Sequence, residues 1–195
     1  MIMRFARAGS ILALTIALAA PAFGYDILLN TDFSDGTEHW KDDPNATSCL
    51  NAQATSSGVM IPLSSSWSKL SQTFDTPDPT LELDVTYCLS DDCSFAPNAV
   101  FDPSVLKQLT GIDSAQSFSV PLKPGEWIAM IADPQAGTFH YVKLPAGSTN
   151  SKSVRALFTR LLEHEEKTFY LIFPPGAGSV TVSHASLEEA SQDGN

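Results

Sequence analysis

The chain has 195 residues, with 22 acidic side chains against 11 basic ones, a formal charge of −11, 43% apolar residues and three cysteines. That charge argues against nucleic acid and anionic membrane surfaces as partners, because both are held by Lys and Arg neutralising phosphates. The length and apolar content suit a single domain with one packed core, and the acidity serves solubility.

The first element is a leader. "MIMRFARAGSILALTIALAAPAFG" has Arg4 and Arg7, an apolar run from Ile11 to Ala20, and small residues before Tyr25, which is the layout of a secretory signal peptide. Cleavage after Gly24 is expected, since Ala22 and Gly24 place small residues where a signal peptidase reads them. A membrane anchor would need about 20 apolar residues, and this run is shorter. The expected organisation is therefore a leader over 1–24, a β-sandwich domain over 25–190 and a C-terminal tail over 191–195, in a secreted or periplasmic protein. Export removes two Arg and no acid, so the remaining 171 residues carry −13. No later segment is long and apolar enough to span a bilayer, so no membrane contact is expected after cleavage.

Pro and Gly punctuate the rest of the chain as they do in proteins built of many short strands. Ile27 to Leu29 is apolar and stops at the turn former Asn30, and Val59 to Leu63 and Leu70 to Phe74 follow. The clearest strand is "TLELDVTYCL", Thr80 to Leu89, where Leu81, Leu83, Val85 and Tyr87 alternate with Glu82, Asp84 and Thr86. That period of two marks one buried and one wet face. "SFSVPL", "EWIAMIAD", "TFHYVKL", "TFYLIF" and "SVTVSHASL" complete the strands, each bounded by Gly, Pro, Asp or Ser.

Two stretches have helical spacing. "FDPSVLKQLTG" offers Asp102 as N-cap, Pro103 at the first helical position, Val105, Leu106 and Leu109 on one face and Gly111 as the stop. "SVRALFTRLLEHEE" places Val154, Leu157, Phe158, Leu161 and Leu162 at helical intervals, which predicts an amphipathic helix covering the end of a sandwich. A buried strand over Val154 to Leu161 is the alternative, because short apolar runs serve either structure. The fold class read from the whole is all-β, a sandwich with one or two short helices.

Cys88 and Cys93 flank the short polar loop "LSDD", and in an exported protein they are expected to form a disulfide, leaving Cys49 over. Metal binding by this Cys-x4-Cys pair is not indicated, since no His or further Cys stands at ligand spacing.

"LLNTDFSDGTEHW", then "SWSKLSQTF", then "GAGSVTVSHASLEE" together resemble the jelly-roll carbohydrate-binding modules of the cellulose- and xylan-binding type, within the galactose-binding-like sandwiches. Members open with an apolar strand and an Asn-Gly-x-Phe-Glu-x-Gly turn with a Trp beyond it. They continue with a Leu-x-Gln strand and close on a strand like Val-x-Ile-Asp-Asp-Val-Ser-Leu. The likeness covers both ends and the first third of the exported chain, and residues 95 to 165 carry none of it beyond strand content.

Such modules often hold a structural calcium with an acid after the first-motif Phe and another in the last strand. Here those positions are Ser34 and Ser183, followed by His184. Calcium takes several oxygens, carboxylates above all, at about 2.3–2.6 Å, so the inherited site is not expected. Asp32 and Asp35 stay on that loop, where short acids usually cap backbone N–H groups. Neither metal nor other cofactor is expected.

The resemblance implies a polysaccharide or cell-surface glycan as partner, bound by aromatic rings stacked on sugar faces. Of three Trp, Trp40 corresponds to the family's core Trp, and Trp127 lies among the apolar residues of "EWIAMIAD". Trp67 stands in the polar loop "SSSWSKL", where nothing local requires a large ring. It is the candidate platform, with Tyr87 and Tyr141 as further ligand-binding candidates on a sheet face. No nucleophile elbow or two-His zinc helix is present, the four His cannot be grouped from sequence, and Glu165 and Glu166 are neighbours that point different ways. No catalytic residue is assigned. The sequence therefore points to a secreted module that binds rather than catalyses. The alternatives are a structural or adhesive envelope protein without a small ligand and a small glycan hydrolase or lyase, which would need facing carboxyls.

Overall fold

The computed structural model describes residues 26–41, 52–114, 116–161 and 165–190. The expected leader, Cys49 and the tail over 191–195 lie outside them. In chain order the elements are β1 (Gln53–Thr55), β2 (Gly58–Pro62), β3 (Ser68–Thr76), β4 (Leu81–Leu89), β5 (Ser94–Phe95) and β6 (Val100–Phe101). Helix α1 (Pro103–Thr110) comes next, then β7 (Val120–Pro121), β8 (Trp127–Asp133), β9 (Thr138–Leu144), β10 (Lys152–Phe158), β11 (Glu165–Phe173), β12 (Gly176–Ala177) and β13 (Ser179–Glu189).

Two antiparallel sheets form the sandwich, one in the order β1-β2-β13-β4-β10 and one in the order β3-β11-β8-β9. The alternation of β4 decides its faces: Leu81, Leu83, Val85 and Tyr87 are buried between the sheets, and the residues between them face outward, half-buried. They meet Trp40, Trp127, Phe169, Leu171 and Leu187 in the main core. Strand β8 is different, being buried along its whole length. Trp127, Ala129 and Ile131 face the main core, while Ile128, Met130 and Ala132 face a second cluster on the outer side of the four-stranded sheet. An unbroken apolar run is what a strand covered on both faces requires.

The cover of that outer side is α1 with the short β6–β7 pair. Asp102 Oδ1 accepts from the N–H groups of Ser104 and Val105 at 2.9 and 3.0 Å, and these bonds hold its carboxyl below the usual range. Pro103 needs no amide bond at the first turn, and Gly111 ends the helix at φ 77° with its N–H donating to Lys107 O. The buried stripe Val105, Leu106 and Leu109 packs with Phe101 on Ile128, Met130, Tyr170 and Ile172. Each such fully buried side chain contributes about 1.5–3 kcal/mol. Lys69, 6% exposed, reaches from β3 to donate to Leu109 O and lies 5.8 Å from the Tyr170 ring centroid, so a cation meets the carbonyl end of the helix.

Three expectations need correction. The stretch over 154–161 is not a helix: Val154 pairs with Val85, Ala156 with Leu83 and Phe158 with Leu81. The open edge of β4 offers a full ladder of hydrogen bonds, and this outweighs an apolar spacing that suited either structure. Residues 27–29 are bent rather than a strand, although Ile27 N donates to Leu187 O at 2.8 Å. Cys88 and Cys93 are both free thiols, not a disulfide. Their loop is closed by polar bonds instead: Cys93 N donates to Ser90 O at 3.0 Å, and Ser90 Oγ donates to Asp92 and accepts from Ser179 N. Burial raises the pKa of the Cys93 thiol.

Candidate aromatic binding site

Trp67 ends the β2–β3 loop. The loop is shaped by Ser64, whose hydroxyl accepts from Ser66 N at 3.3 Å and whose carbonyl accepts from Gly176 N at 2.7 Å. The Trp67 ring is half-buried, and its centroid lies 6.1 Å from that of Phe101. It walls a cleft of about 150 Å³ together with Ser64, Ser66, Ser68, Lys69 and Leu109.

Tyr141 reaches the same place from the opposite edge of the sheet. In β9 the odd residues Phe139, Tyr141 and Lys143 oppose Ala132, Met130 and Ile128, so they project to the outer side of the four-stranded sheet. The Tyr141 centroid is 6.4 Å from that of Phe101, and Tyr141 is 39% exposed. Phe118 adds a ring at 5.6 Å from Phe101 and 5.1 Å from Phe139, and Phe139 lies 6.5 Å from Tyr141 in a stacked orientation. The outcome is a patch of four partly exposed rings, Trp67, Phe118, Phe139 and Tyr141, with Phe101 buried beneath. Trp67 and Tyr141, 74 residues apart in sequence, flank a single shared neighbour.

Tyr87 does not join them. It is 0% exposed inside the main core, with its ring edge-on to Trp127 at 4.7 Å and its hydroxyl donating to Pro145 O. It is a core residue, because the alternation that makes β4 legible puts the odd positions on the inner face. The other two Trp are core residues, as expected: Trp40 and Trp127 are fully buried. Phe139 was within reach of sequence reasoning, since it shares a face with Tyr141 two residues on. Phe101 and Phe118 were not, because they come from a segment whose docking site no local pattern encodes.

Partly exposed aromatic rings offer flat apolar faces, and serine hydroxyls offer donors and acceptors beside them. This combination fits a ligand with apolar faces and hydroxylated edges. For a metal the residues are less suited: among the described residues no three His, Cys, Asp or Glu side chains converge. Asp32 accepts from Ser34 N at 3.1 Å, and Ser183 Oγ donates to Thr86 O at 3.3 Å. On the outer face of the five-stranded sheet, Arg155 pairs with Asp84 at 3.0 Å and Glu82 at 3.6 Å, beside Glu188. Glu82 and Glu188 are cross-strand partners, side by side on one face, whereas glycosidic carboxyls face each other across a cleft at about 5–9.5 Å.

The fold is a jelly-roll β-sandwich, an architecture also found in carbohydrate-binding modules. No family model matches the chain, and no curated protein matches its sequence. Solved structures do match its fold. TmCBM61 in complex with beta-1,4-galactotriose aligns with a TM-score of 0.51 and 12% identity, over 85% of this chain and 99% of that one. The N-terminal CBM22-1-CBM22-2 tandem domain of Paenibacillus barcinonensis Xyn10C aligns with a TM-score of 0.52 and 12% identity, over 92% of this chain and 50% of that one. The enzymatically active domain of bacteriophage CBA120 tailspike protein 4 also aligns, with a TM-score of 0.52 and 9% identity, over 85% of this chain and 21% of that one. At such identities the likeness is one of fold.

Proposed function

We propose that this protein is a secreted, non-catalytic module that binds a polysaccharide through the aromatic patch of Trp67, Phe118, Phe139 and Tyr141, which rests on the buried Phe101. The observation that carries the reading is the convergence of Trp67 and Tyr141 on Phe101, from loops and strands far apart in sequence. Support comes from the architecture shared with carbohydrate-binding modules, one of them solved with a bound galactotriose. Export rests on the N-terminal leader.

Glycan-array binding of the purified protein tests the reading, followed by two substitutions. Tyr141→Ala should weaken binding about tenfold or more with little loss of stability, since stacked rings carry a large share of such energies. Trp67→Ala should weaken binding similarly and also cost about 1–3 kcal/mol of stability, because half of its ring is packed. Unchanged affinity in both variants would remove the patch from the ligand site.

A further inference from the structure

On the far side of Tyr141 from Trp67, the structure opens a groove of about 390 Å³ between β9 and β10. Phe139, His140 and Tyr141 form one wall, and Leu157 and Thr159 form the other. Among the described residues β9 pairs only with β8 and β10 only with β4, so each wall presents a strand edge with backbone N–H and C=O groups not used in a ladder. Leu157, at 57% exposure, is the most exposed large apolar side chain of the described residues. Burial within the sandwich edge lowers the pKa of the His140 imidazole, which favours its neutral form.

We infer that this groove is a second glycan-contacting surface, continuous with the aromatic patch, and that the ligand is a neutral chain of several sugar residues bound along its length. The inference rests on the carbohydrate reading above. Phe139 and Tyr141 belong to both the patch and the groove, so a chain stacked on Tyr141 that turns over the β9 edge of the sandwich reaches Leu157, which opposes Glu82 and faces the outer side of the five-stranded sheet. Its hydroxyls meet the strand edges, Thr159 and the imidazole, which donate and accept without carrying charge. A ligand with uronate or sulfate groups would instead approach a protein of charge −11, with no Lys or Arg among the described residues that line the groove. An extended peptide would also satisfy strand edges, but it would leave the aromatic patch without a counterpart.

Calorimetric titration of the purified protein with disaccharides and hexasaccharides of β-1,4-linked xylose, galactose and glucose separates the possibilities. The proposal expects one hexasaccharide to bind at least about tenfold tighter than its disaccharide, and Leu157→Asp to remove most of that advantage while leaving disaccharide affinity unchanged. Amide chemical-shift changes over 139–142 and 157–159 on adding the hexasaccharide, absent with the disaccharide, test the same point without a variant. Equal affinity for the two lengths, with no shifts at those residues, overturns the groove and leaves the patch. Binding of none of the six sugars overturns both, and shifts at the groove with an extended peptide but no sugar assign it to polypeptide.

Discussion

Asn30 shows how much one side chain organises. Its Oδ1 accepts from Asp35 N at 3.1 Å, its Nδ2 donates to Gly36 O at 3.0 Å and Glu38 O at 3.1 Å, and its carbonyl accepts from Trp40 Nε1 at 3.2 Å. The loop over 30–40 is thereby folded onto its own Trp, which packs 5.1 Å from Phe33 and 6.3 Å from Phe169. Gln72, the last residue of the Leu-x-Gln stretch, fixes the opposite flank. Its amide accepts from Leu29 N at 2.6 Å and donates to Leu29 O at 2.9 Å, standing in for the strand partner that 27–29 lacks. Trp40→Ala should lower unfolding free energy by about 3–5 kcal/mol, the usual loss for a buried large aromatic. Denaturant titration measures it, and glycan affinity of the folded fraction should not move. A loss below about 1 kcal/mol would mean that the loop is not tied to the core through this ring. Trp40 was legible because its place in the opening motif is distinctive. Tyr87 shares the inward face of Leu81, Leu83 and Val85, so the alternation of β4 already argued for a core position, and the exposed-face expectation rested only on the tendency of tyrosine to keep its hydroxyl near water.

At the scale of elements, the β1–β2 hairpin and the last strand are fitted together by a glycine and a bulge. Gly58 has φ 127°, and a Cβ there would run into the Val182 carbonyl oxygen and lie 2.6 Å from Ser183 Cα. The pairing of β13 with β4 shifts between Val182 and His184, so the extra residue of the bulge is Ser183, at the point where Gly58 makes room. Gly58→Ala should cost at least about 2 kcal/mol, from backbone strain together with the displaced strand. A thermal melt of the variant checks this, and a shift of less than 2 °C for a domain of this size would show that β13 yields easily. Helix α1 was readable in advance because its cap, proline, apolar stripe and glycine stop all agree. The stretch that became β10 was not, since its apolar residues fit both periods and only the edge of β4 chose between them.

For the whole molecule, the two positions at which the sequence resemblance would place calcium ligands are Ser34, whose N–H donates to Asp32, and Ser183, whose hydroxyl donates to Thr86 O. A bound structural ion adds stability by mass action, and its removal lowers the melting temperature. Here EDTA should leave the melting temperature unchanged, and added calcium should not raise it. A fall of several degrees that calcium restores would reveal an ion held elsewhere in the fold.

The sequence by itself determined the class of fold, the positions of most strands, the helix with both its ends, and the burial of Trp40 and Trp127. Apart from Trp40, whose burial is what the family resemblance of the opening motif implies, these follow from periodicity, turn chemistry and capping, which act over a few residues and leave a local signature. Tertiary structure alone decided that Trp67 and Tyr141 share Phe101 and that 152–158 is an edge strand. It also decided that the segment carrying Phe101 and Phe118 lies across the outer side of a sheet. Those outcomes depend on which distant surface buries each apolar side chain, and burial is non-directional. A ring that suits a core and a ring that suits a ligand have the same chemistry, and the two are told apart only by what the rest of the chain places on top of them.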